Sequence, residues 1–221
     1  MIFLILGAPG SGKGTQAKLL VKTLGYNYLQ TGVVCRAIAK EDSPLGRKID
    51  YLMHEKGALV PDPLIHKAVK SWLDKMGVKK GIVFEGYPRN VAQYQVWKKM
   101  LAERRKRSEM VFYLRVSQKA VIERSSARRV CPKCSFEYNL VTKLPKKKGV
   151  CDKCQTKLIH RKDDYPEVVE KRIKTFLQIT KPLVKIIRQD GILEEVNGER
   201  SIKVIHQDIM SRIRTYQAEK K

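Results

Sequence analysis

Short apolar runs alternate along the chain with longer stretches in which apolar residues recur every three or four positions. Short runs with few polar residues are typical of strands buried on both faces, and the longer stretches are typical of amphipathic helices. This alternation predicts an α/β fold, a parallel sheet covered by helices on both sides. The predicted strands are Ile2–Leu6, Tyr28–Gln30, Ile82–Glu85, Met110–Val116 and Ile192–Val196.

The amphipathic stretches predict helices, and several of them are followed by a glycine, as is common at helix ends. The predicted helices are Gly14–Leu24, Gly32–Lys40, Leu45–Lys56, Pro63–Met76, Val91–Arg104, Gln118–Arg129, Pro166–Gln189 and Ser201–Gln217. Between Val130 and Asp164 no helical period appears, four cysteines occur and lysines accumulate. We therefore expect this stretch to form a small inserted subdomain.

The composition indicates a folded protein with a strong positive charge. Of 221 residues, 43% are hydrophobic and 31% are charged, which is enough apolar material for a sizeable core. Lysine and arginine outnumber aspartate and glutamate by 46 to 22, a formal net charge of +24 that favours polyanionic partners. No apolar run approaches the roughly 18 residues of a membrane span, and the N-terminus lacks the features of a signal peptide. We expect a cytoplasmic protein without a membrane segment.

A glycine-rich segment follows the first predicted strand and precedes the first predicted helix. This phosphate loop, Gly7–Thr15, reads GAPGSGKGT and matches the pattern GxxxxGK, with the threonine one position later than in the strict motif. Glycines let the backbone curve around a polyphosphate, and the helix N-terminus adds positive potential. A lysine at this place carries its charge to the β- and γ-phosphates. The loop predicts a nucleoside triphosphate site formed by Gly10, Ser11, Gly12, Lys13, Gly14 and Thr15.

The cysteines indicate a metal site. Four of the five form two CxxC pairs that are separated by the 16 residues from Ser135 to Val150: Cys131, Cys134, Cys151 and Cys154. Two such pairs can close the tetrahedral thiolate site that Zn²⁺ prefers, and four thiolates leave no position for water, so the zinc would be structural. Two disulfides or four free thiols are the alternatives. Cys35 lies in an apolar helical stretch and is expected to be a small buried residue.

Three further segments, together with the phosphate loop, carry a resemblance to a known family. They are Gln30-Thr31-Gly32 with Arg36, then Glu85-Gly86-Tyr87-Pro88-Arg89, and Gln93. With Gly7–Gln16 they resemble the nucleoside monophosphate kinases, and most closely the adenylate kinase family with a long lid, from Met1 to about Gln217. The resemblance implies reversible transfer of the γ-phosphoryl group from MgATP to AMP, which gives two ADP. It also implies a P-loop core at 1–30, 61–126 and 165–221, a helical AMP-binding flap at 31–60 and a zinc-containing lid at 127–164.

The resemblance further implies a role for individual residues. Arg124 would lie against the ATP adenine, and Glu85 would organise the water shell of Mg²⁺ where the family usually has aspartate. The AMP-binding residues would be Thr31, Arg36, Leu59, Val60, Gly86, Arg89 and Gln93. The catalytic residues, which would supply positive charge to the phosphoryl group in transfer, would be Lys13, Arg89, Arg128, Arg161 and Arg172. Asp163 and Asp164 would orient Arg161 and Arg172.

Some details depart from the family pattern. Besides Glu85, Val33 stands where aspartate is common, and Tyr87 replaces a phenylalanine. Ser135 and Gln155 follow the two CxxC pairs, where the family often has glycine.

Arg124 and Arg128 are four residues apart, which predicts that they share one face of the helix that enters the lid.

Two other functions stay open at this point. A nucleic-acid-binding P-loop protein would use the patch Arg104–Arg107 and the lid lysines Lys143, Lys146, Lys147, Lys148, Lys153, Lys157 and Lys162. Such binding would be salt-sensitive and non-specific, and a solvated basic surface explains the same charges. Within the kinases, a UMP/CMP or GMP kinase is the alternative, although the zinc-type lid and Gln93 favour AMP. We expect a monomer that binds ATP, AMP and ADP, with nucleic acid bound only by non-specific electrostatic attraction.

Overall fold

The strands form one central sheet and one small ribbon. The computed structural model describes residues 1–52, 60–76 and 80–220. In chain order the strands are β1 (Ile2–Gly7), β2 (Asn27–Gln30), β3 (Ile82–Glu85), β4 (Met110–Arg115), β5 (Arg128–Val130), β6 (Glu137–Asn139) and β7 (Leu193–Asn197). Five of them form a parallel sheet in the order β2-β3-β1-β4-β7, and β5 and β6 form an antiparallel pair. The predicted α/β fold is confirmed, and each predicted strand is correct to within one residue at either end.

Nine helices are found in the part of the chain that the structure describes. They are α1 (Lys13–Leu24), α2 (Thr31–Ala39), α3 (Pro44–Asp50), α4 (Asp62–Met76), α5 (Val91–Ala102), α6 (Gln118–Ser126), α7 (Pro166–Thr175), α8 (Lys181–Gln189) and α9 (Ile202–Ala218). Four begin at a serine or asparagine whose side chain accepts a hydrogen bond from a backbone N–H of the first turn, which stabilises a helix start: Ser43, Asn90, Ser117 and Ser201. None of the described helices is long and apolar enough to cross a membrane.

The sheet is buried on both faces, as its apolar strands predict. Successive side chains of a strand point to opposite faces, so Leu4 of β1 packs in one core while Phe3 and Ile5 pack in the other. Helices α4, α5 and α8 cover the first face, and α1 and α9 cover the second. The carboxyl ends of β1, β2 and β3 meet at one edge, where Ile5 and Gln30 both pair with Glu85. A ligand site is expected at this edge of a parallel sheet.

The predicted helix Gln118–Arg129 is wrong at its C-terminal end. Helix α6 stops at Ser126, and the Ala127 N–H closes it by donating to the Glu123 carbonyl. Arg128 instead begins β5 and pairs with Asn139 of β6. Backbone pairing within the cysteine subdomain therefore overrides the local helical pattern. Arg124 and Arg128 do not share a helix face, and that prediction is wrong as well.

The predicted single helix Pro166–Gln189 is interrupted in its middle. Phe176–Thr180 forms a wider helical turn between α7 and α8. Pro182 has no N–H to donate to a carbonyl one turn earlier, so the regular ladder cannot continue through this point. The Thr180 hydroxyl, in the wide turn, donates to the Arg89 carbonyl at 2.8 Å. The interruption thereby joins this helical segment to the loop that follows β3.

The region predicted as the AMP-binding flap contains α2 and α3. Cys35 is buried there, as expected. The end of the predicted helix Leu45–Lys56 and the predicted site residue Leu59 lie outside the described residues. The domain boundaries at 31–60 and 127–164 stay predictions.

Replacement of Ser108 by alanine is expected to destabilise the fold by about 1–3 kcal/mol. The buried Trp97 indole packs against Phe84 and donates its Nε1–H to Ser108 Oγ at 2.8 Å. Without the hydroxyl, that donor is buried and unpaired. Urea unfolding should show the loss, whereas Ser71→Ala on the exposed face of α4 should change the unfolding free energy by less than about 0.5 kcal/mol. Equal effects of the two substitutions would contradict this account.

Candidate functional site

The phosphate loop packs closely against α6. Gly10 and Gly12 have φ angles of 77° and 91°, in the left-handed region that glycine adopts readily. A Cβ on Gly10 would lie 2.6 Å from Ser125 Oγ and 2.9 Å from the Val121 carbonyl oxygen, so this position has no room for a side chain. The buried Ser11 hydroxyl finds no hydrogen-bond partner among the described residues. The loop thus carries an unpaired hydroxyl and leads into the N-terminus of α1, where the first N–H groups of a helix have no partner within the helix. Both features suit a phosphate.

Lys13 is buried at the first position of α1. Its Nζ donates to the Ala8 carbonyl at 2.7 Å. The pKa of the amine is lowered to about 7: burial is the largest cause, the guanidinium groups of Arg89, Arg172 and Arg128 add to it, and the Glu85 carboxylate opposes them. The amine therefore lies where several positive groups already meet.

The buried Glu85 carboxylate lies at the carboxyl end of β3. The Tyr28 hydroxyl donates to its Oε2 at 2.6 Å. A Cβ on Gly14 would lie only 3.3 Å from the same oxygen, so glycine leaves space for the longer acid at this place. Sequence reasoning did not identify Tyr28. A signal was available, because Gln30 is the β2 partner of Glu85, and Tyr28, two residues earlier, lies on the same face of β2 as Gln30.

A second group of predicted residues lies around Gly86. The Thr31 hydroxyl and the Arg89 Nε both donate to the Gly86 carbonyl, at 2.8 and 2.7 Å. Gly86 has a φ of 81°, and an added Cβ would lie 2.9 Å from Thr31 Oγ1. Burial lowers the pKa of the Arg36 guanidinium to about 10, and the nearby Arg161 contributes to the shift. Val60 lines the same cavity.

The Gln93 amide is bonded at both ends. Its Oε1 accepts from the Arg89 backbone N–H, and its Nε2 donates to Asp62 Oδ1, each at 2.7 Å. The Asn90 side chain donates to Asp62 Oδ2 at 2.9 Å. Sequence reasoning did not identify Asp62 as a partner of Gln93. The available signal was an acidic residue that follows Val60-Pro61 and begins a helix.

Two buried aspartates hold three of the predicted catalytic arginines. Arg161 contacts both carboxylate oxygens of Asp163, at 2.8 and 2.5 Å, and Arg172 donates to Asp163 Oδ2 at 3.1 Å. Arg128 donates to both oxygens of Asp164, with its Nε 2.7 Å from Oδ2. Asp163 thus orients Arg161 and Arg172 as predicted, while the strongest contact of Asp164 is with Arg128.

These contacts keep the groups charged. Burial alone would raise the pKa of the Asp163 carboxyl, but the Arg172 and Arg161 guanidinium groups outweigh it and hold the pKa well below its ordinary value. Burial lowers the pKa of Arg172 to about 10, which still leaves it charged at neutral pH. For Arg128 the hydrogen bonds and charge of Asp164 outweigh burial, and its pKa lies above the ordinary value. The arrangement is one of fixed positive charges that need no rearrangement to meet an anion.

One cavity brings together eight of the eighteen residues predicted for nucleotide binding and phosphoryl transfer, whereas Glu85, Arg128 and Arg161 are not part of its lining. The lining includes Lys13, Thr31, Arg36, Val60, Gly86, Arg89, Gln93, Asp163 and Arg172, and also Cys35. Arg124 does not line it: its Nη1 donates to the Gly198 carbonyl at 2.8 Å, in the loop after β7. Thr15 lies on the first turn of α1. Lys13, Arg36, Arg89 and Arg172 give the cavity a positive lining, which suits phosphate-bearing ligands.

The four lid cysteines form a cluster whose sulfur atoms all lie within 4.8 Å of one another. The closest pairs join the two CxxC segments, Cys131 to Cys154 at 3.3 Å and Cys134 to Cys151 at 3.6 Å. These separations exceed the roughly 2.05 Å of a disulfide and are close to the roughly 3.8 Å between thiolates that are each 2.3 Å from a tetrahedral zinc. The cluster could therefore hold a zinc ion.

Each CxxC segment closes with a tight turn. The Ser135 and Gln155 N–H groups donate to the carbonyls of Cys131 and Cys151, each at 2.9 Å. Ser135 and Gln155 have φ angles of 55° and 57°, where L-residues are disfavoured and glycine is not. Glycine would adopt this backbone conformation without the cost, which agrees with the glycine that the resemblance leads us to expect after each pair.

Comparison with known proteins places these features in a family. The family model described as adenylate kinase matches residues 5–192. The chain is similar to an adenylate kinase from Caldanaerobacter subterraneus subsp. tengcongensis, with 39% identity over 209 residues that cover 95% of this chain and 94% of the relative. It is also similar to adenylate kinases from a Geobacillus species, at 37% identity, and from Thermotoga maritima, at 38%, each over 95% of this chain and 96% of the relative.

Binding of a nucleoside triphosphate is expected to raise the pKa of Lys13 and to take up a proton. The pKa of about 7 leaves most of the amine neutral at pH 8, and phosphate oxygens favour its charged form. The pKa of Lys13 is higher in the complex than in the free protein, so ligand binding takes up protons at pH values between these two pKa values. At pH 8 the uptake should reach roughly 0.9 proton per ligand. Titration calorimetry in buffers with different ionisation enthalpies measures this number.

Lys22→Met is the matched control, because Lys22 lies exposed on the same helix. The Lys22→Met protein should take up the same number of protons per mole of bound ligand as the unaltered protein. The Lys13→Met protein should take up none. Undiminished uptake by the Lys13→Met protein would contradict the assignment of the titrating group.

Proposed function

Since the chain belongs to the adenylate kinase family, and therefore catalyses reversible phosphoryl transfer between ATP and AMP, we propose that this one cavity carries the reaction. In the proposal, ATP binds at the phosphate loop and AMP binds around Gly86, with their phosphates meeting at Lys13. The observation that carries the proposal is the convergence of Lys13, Arg89 and Arg172 on one cavity, beside two aspartate-held arginines.

For the ATP side, the phosphate loop supplies backbone donors and Lys13 supplies a mobile charge. The residues proposed to contact the triphosphate are Gly10, Ser11, Gly12, Lys13, Gly14 and Thr15. The unpaired Ser11 hydroxyl and the close-packed Gly10 support a backbone shaped to surround phosphate oxygens. Arg124 is proposed to lie against the adenine, near the Gly198 carbonyl that it contacts.

For the AMP side, Arg36 and Arg89 are proposed to bind the phosphate. Both guanidinium groups are largely buried and line the cavity, where a bound dianion would offset their mutual repulsion. Thr31, Leu59, Val60 and Gly86 would frame the nucleoside, and Gln93 would read the base.

The transfer itself needs no nucleophilic side chain. An oxygen of the AMP phosphate attacks the γ-phosphorus of ATP, the bond to the β-γ bridging oxygen breaks, and ADP leaves on each side. The chain contributes position and positive charge through Lys13, Arg89, Arg128, Arg161 and Arg172. The guanidinium groups of Arg128, Arg161 and Arg172 are held by Asp163 and Asp164, so little reorganisation is required as charge spreads over the phosphoryl group.

The residues near Lys13 fit a magnesium ion bound with ATP. Mg²⁺ prefers oxygen ligands and keeps several waters, and the buried Glu85 carboxylate and the Thr15 hydroxyl are oxygen donors at the phosphate loop. When bound, Mg²⁺ neutralises charge on the β- and γ-phosphates. Tyr28 holds Oε2 of Glu85, which leaves Oε1 for the water shell.

Val33 is nearly half exposed on the first turn of α2, and nothing in the structure explains why valine stands here where aspartate is expected.

The cysteine cluster is proposed to hold a structural zinc. Beyond the cysteines, the core of the lid consists of little more than Tyr138 and Leu158, with Phe136 packed against them. Zinc binding to a four-thiolate site is worth about 10–16 kcal/mol in small peptides, which is enough to fold a segment with so small a core. We further propose a monomer in the cytoplasm, a reducing compartment in which cysteines persist as thiolate ligands and not as disulfides.

The acceptor is tested by offering AMP, UMP, CMP and GMP separately with MgATP at equal concentration. Fast ADP formation is expected with AMP alone. Arg89→Ala should lower kcat/KM for AMP by about a thousandfold, the scale on which a phosphoryl-contacting arginine acts. Arg107→Ala, which removes an exposed arginine from the loop between α5 and β4, should leave activity unchanged. Faster turnover with another acceptor, or an Arg89→Ala protein of normal activity, would refute the proposal.

Metal analysis tests the lid. Protein purified without chelator is expected to hold about one equivalent of zinc, because four thiolates complete one tetrahedral site. Cys131→Ser should lose the metal and lower the Tm of the lid while the core stays folded, whereas Cys35→Ser should keep the full equivalent. Well under one equivalent in the unaltered protein would overturn the zinc assignment.

A further inference from the structure

Gln93 is almost fully buried and is one of the residues that line the cavity proposed for AMP. Its Oε1 accepts from the Arg89 backbone N–H, and its Nε2 donates to the Asp62 carboxylate, both at 2.7 Å. A primary amide has two hydrogens on nitrogen and two lone pairs on oxygen. One hydrogen and one lone pair are therefore left for a ligand.

The two partners of the amide can act in one direction only. A backbone N–H donates and never accepts, whereas a carboxylate accepts and never donates. If the amide were flipped, its Nε2 would face the Arg89 N–H and its Oε1 would face the Asp62 carboxylate. Two repulsive contacts between buried polar groups would result, so chemistry alone fixes which end is oxygen.

Asp62 is itself held in place. Asn90 Nδ2 donates to Asp62 Oδ2 at 2.9 Å, and Asn90 Oδ1 accepts from the Gln93 backbone N–H at 2.7 Å. Asp62 is also the first residue of α4, where the helix N-terminus favours a negative charge. The carboxylate thus connects α4 to the start of α5 and faces the amide from a fixed position.

A locked amide distinguishes purines by the order of their donors and acceptors. Adenine presents an amino donor at position 6 beside an acceptor at N1, whereas hypoxanthine and guanine present an acceptor at position 6 beside an N1–H donor. A glutamine that can flip pairs with either edge, and one that cannot pairs with only one. We infer that Asp62 is a specificity-determining positioning residue, which locks Gln93 in the order that selects a 6-aminopurine over a 6-oxopurine.

This inference rests on the proposed AMP site, and its test compares AMP with IMP as acceptors. IMP differs from AMP only in reversing the donor and acceptor at positions 6 and 1, so it adds no bulk. Asp62→Asn puts at position 62 an amide that can donate as well as accept, which removes one of the two constraints on Gln93. The ratio of kcat/KM for AMP to that for IMP should fall about tenfold, chiefly through the two acceptor KM values. The KM for ATP should not change.

Two variants make the comparison specific. Asp62→Glu keeps a group that only accepts, and it should retain the preference for AMP. Asp74→Asn removes an acid from the exposed side of the same helix, and it should behave as the unaltered protein does. If thermal unfolding shows that Asp62→Asn does not fold, Asp62→Ser, whose hydroxyl also donates and accepts, is measured in its place.

The outcomes separate the inference from the proposed site. Equal losses with AMP and IMP, or an unchanged ratio, would overturn the role of Asp62. If the unaltered protein showed no preference for AMP, and Gln93→Leu left both acceptors unaffected, the proposed AMP site would fail and the inference with it.

Discussion

The site depends on the pairing of two buried aspartates with three arginines. The Asp163 and Asp164 side chains are at most 3% exposed, and together they contact Arg128, Arg161 and Arg172. Positive groups buried this close to Lys13 would repel one another strongly, because charges interact more strongly away from water. The carboxylates offset the repulsion. Paired contacts also fix the guanidinium planes of Arg128 and Arg161, and Arg172 donates through one nitrogen to both the carboxylate and the backbone carbonyl of Asp163. Without them the cluster would have neither its charge nor its geometry.

The same pairing ties separate parts of the chain to the cavity. Arg128 comes from the first strand of the cysteine subdomain, Arg172 from α7, and both aspartates from the segment between them. The wide turn after α7 reaches the loop behind β3 through Thr180, which donates to the Arg89 carbonyl. At the proposed site, a phosphoryl transfer that relies on position would therefore draw at once on contacts made by the cysteine subdomain, by α7 and by the loop after β3.

Sequence patterns predicted the parts of this arrangement that are encoded locally. Strands buried on both faces and a glycine-rich loop between strand and helix are readable from neighbouring residues, as β1 and Gly7–Thr15 show. The resemblance added which arginines to expect, but not their setting. Arg128 lies on a strand because it pairs with Asn139, and Tyr28 reaches Glu85 across 57 residues, as Asp62 reaches Gln93 across 31. Such contacts arise from packing and leave no period in the sequence.

Two departures from the family pattern are accommodated in different ways. At β3 the longer Glu85 gains a hydrogen-bond partner in Tyr28 and open space beside Gly14, so the carboxylate is fixed despite its extra methylene. In the cysteine subdomain, Ser135 and Gln155 adopt the left-handed backbone conformation. This conformation costs an L-residue about 1–2 kcal/mol at each position. That cost is small beside the roughly 10–16 kcal/mol of a four-thiolate zinc site. The proposed zinc would therefore offset backbone strain that the small core of this subdomain could not.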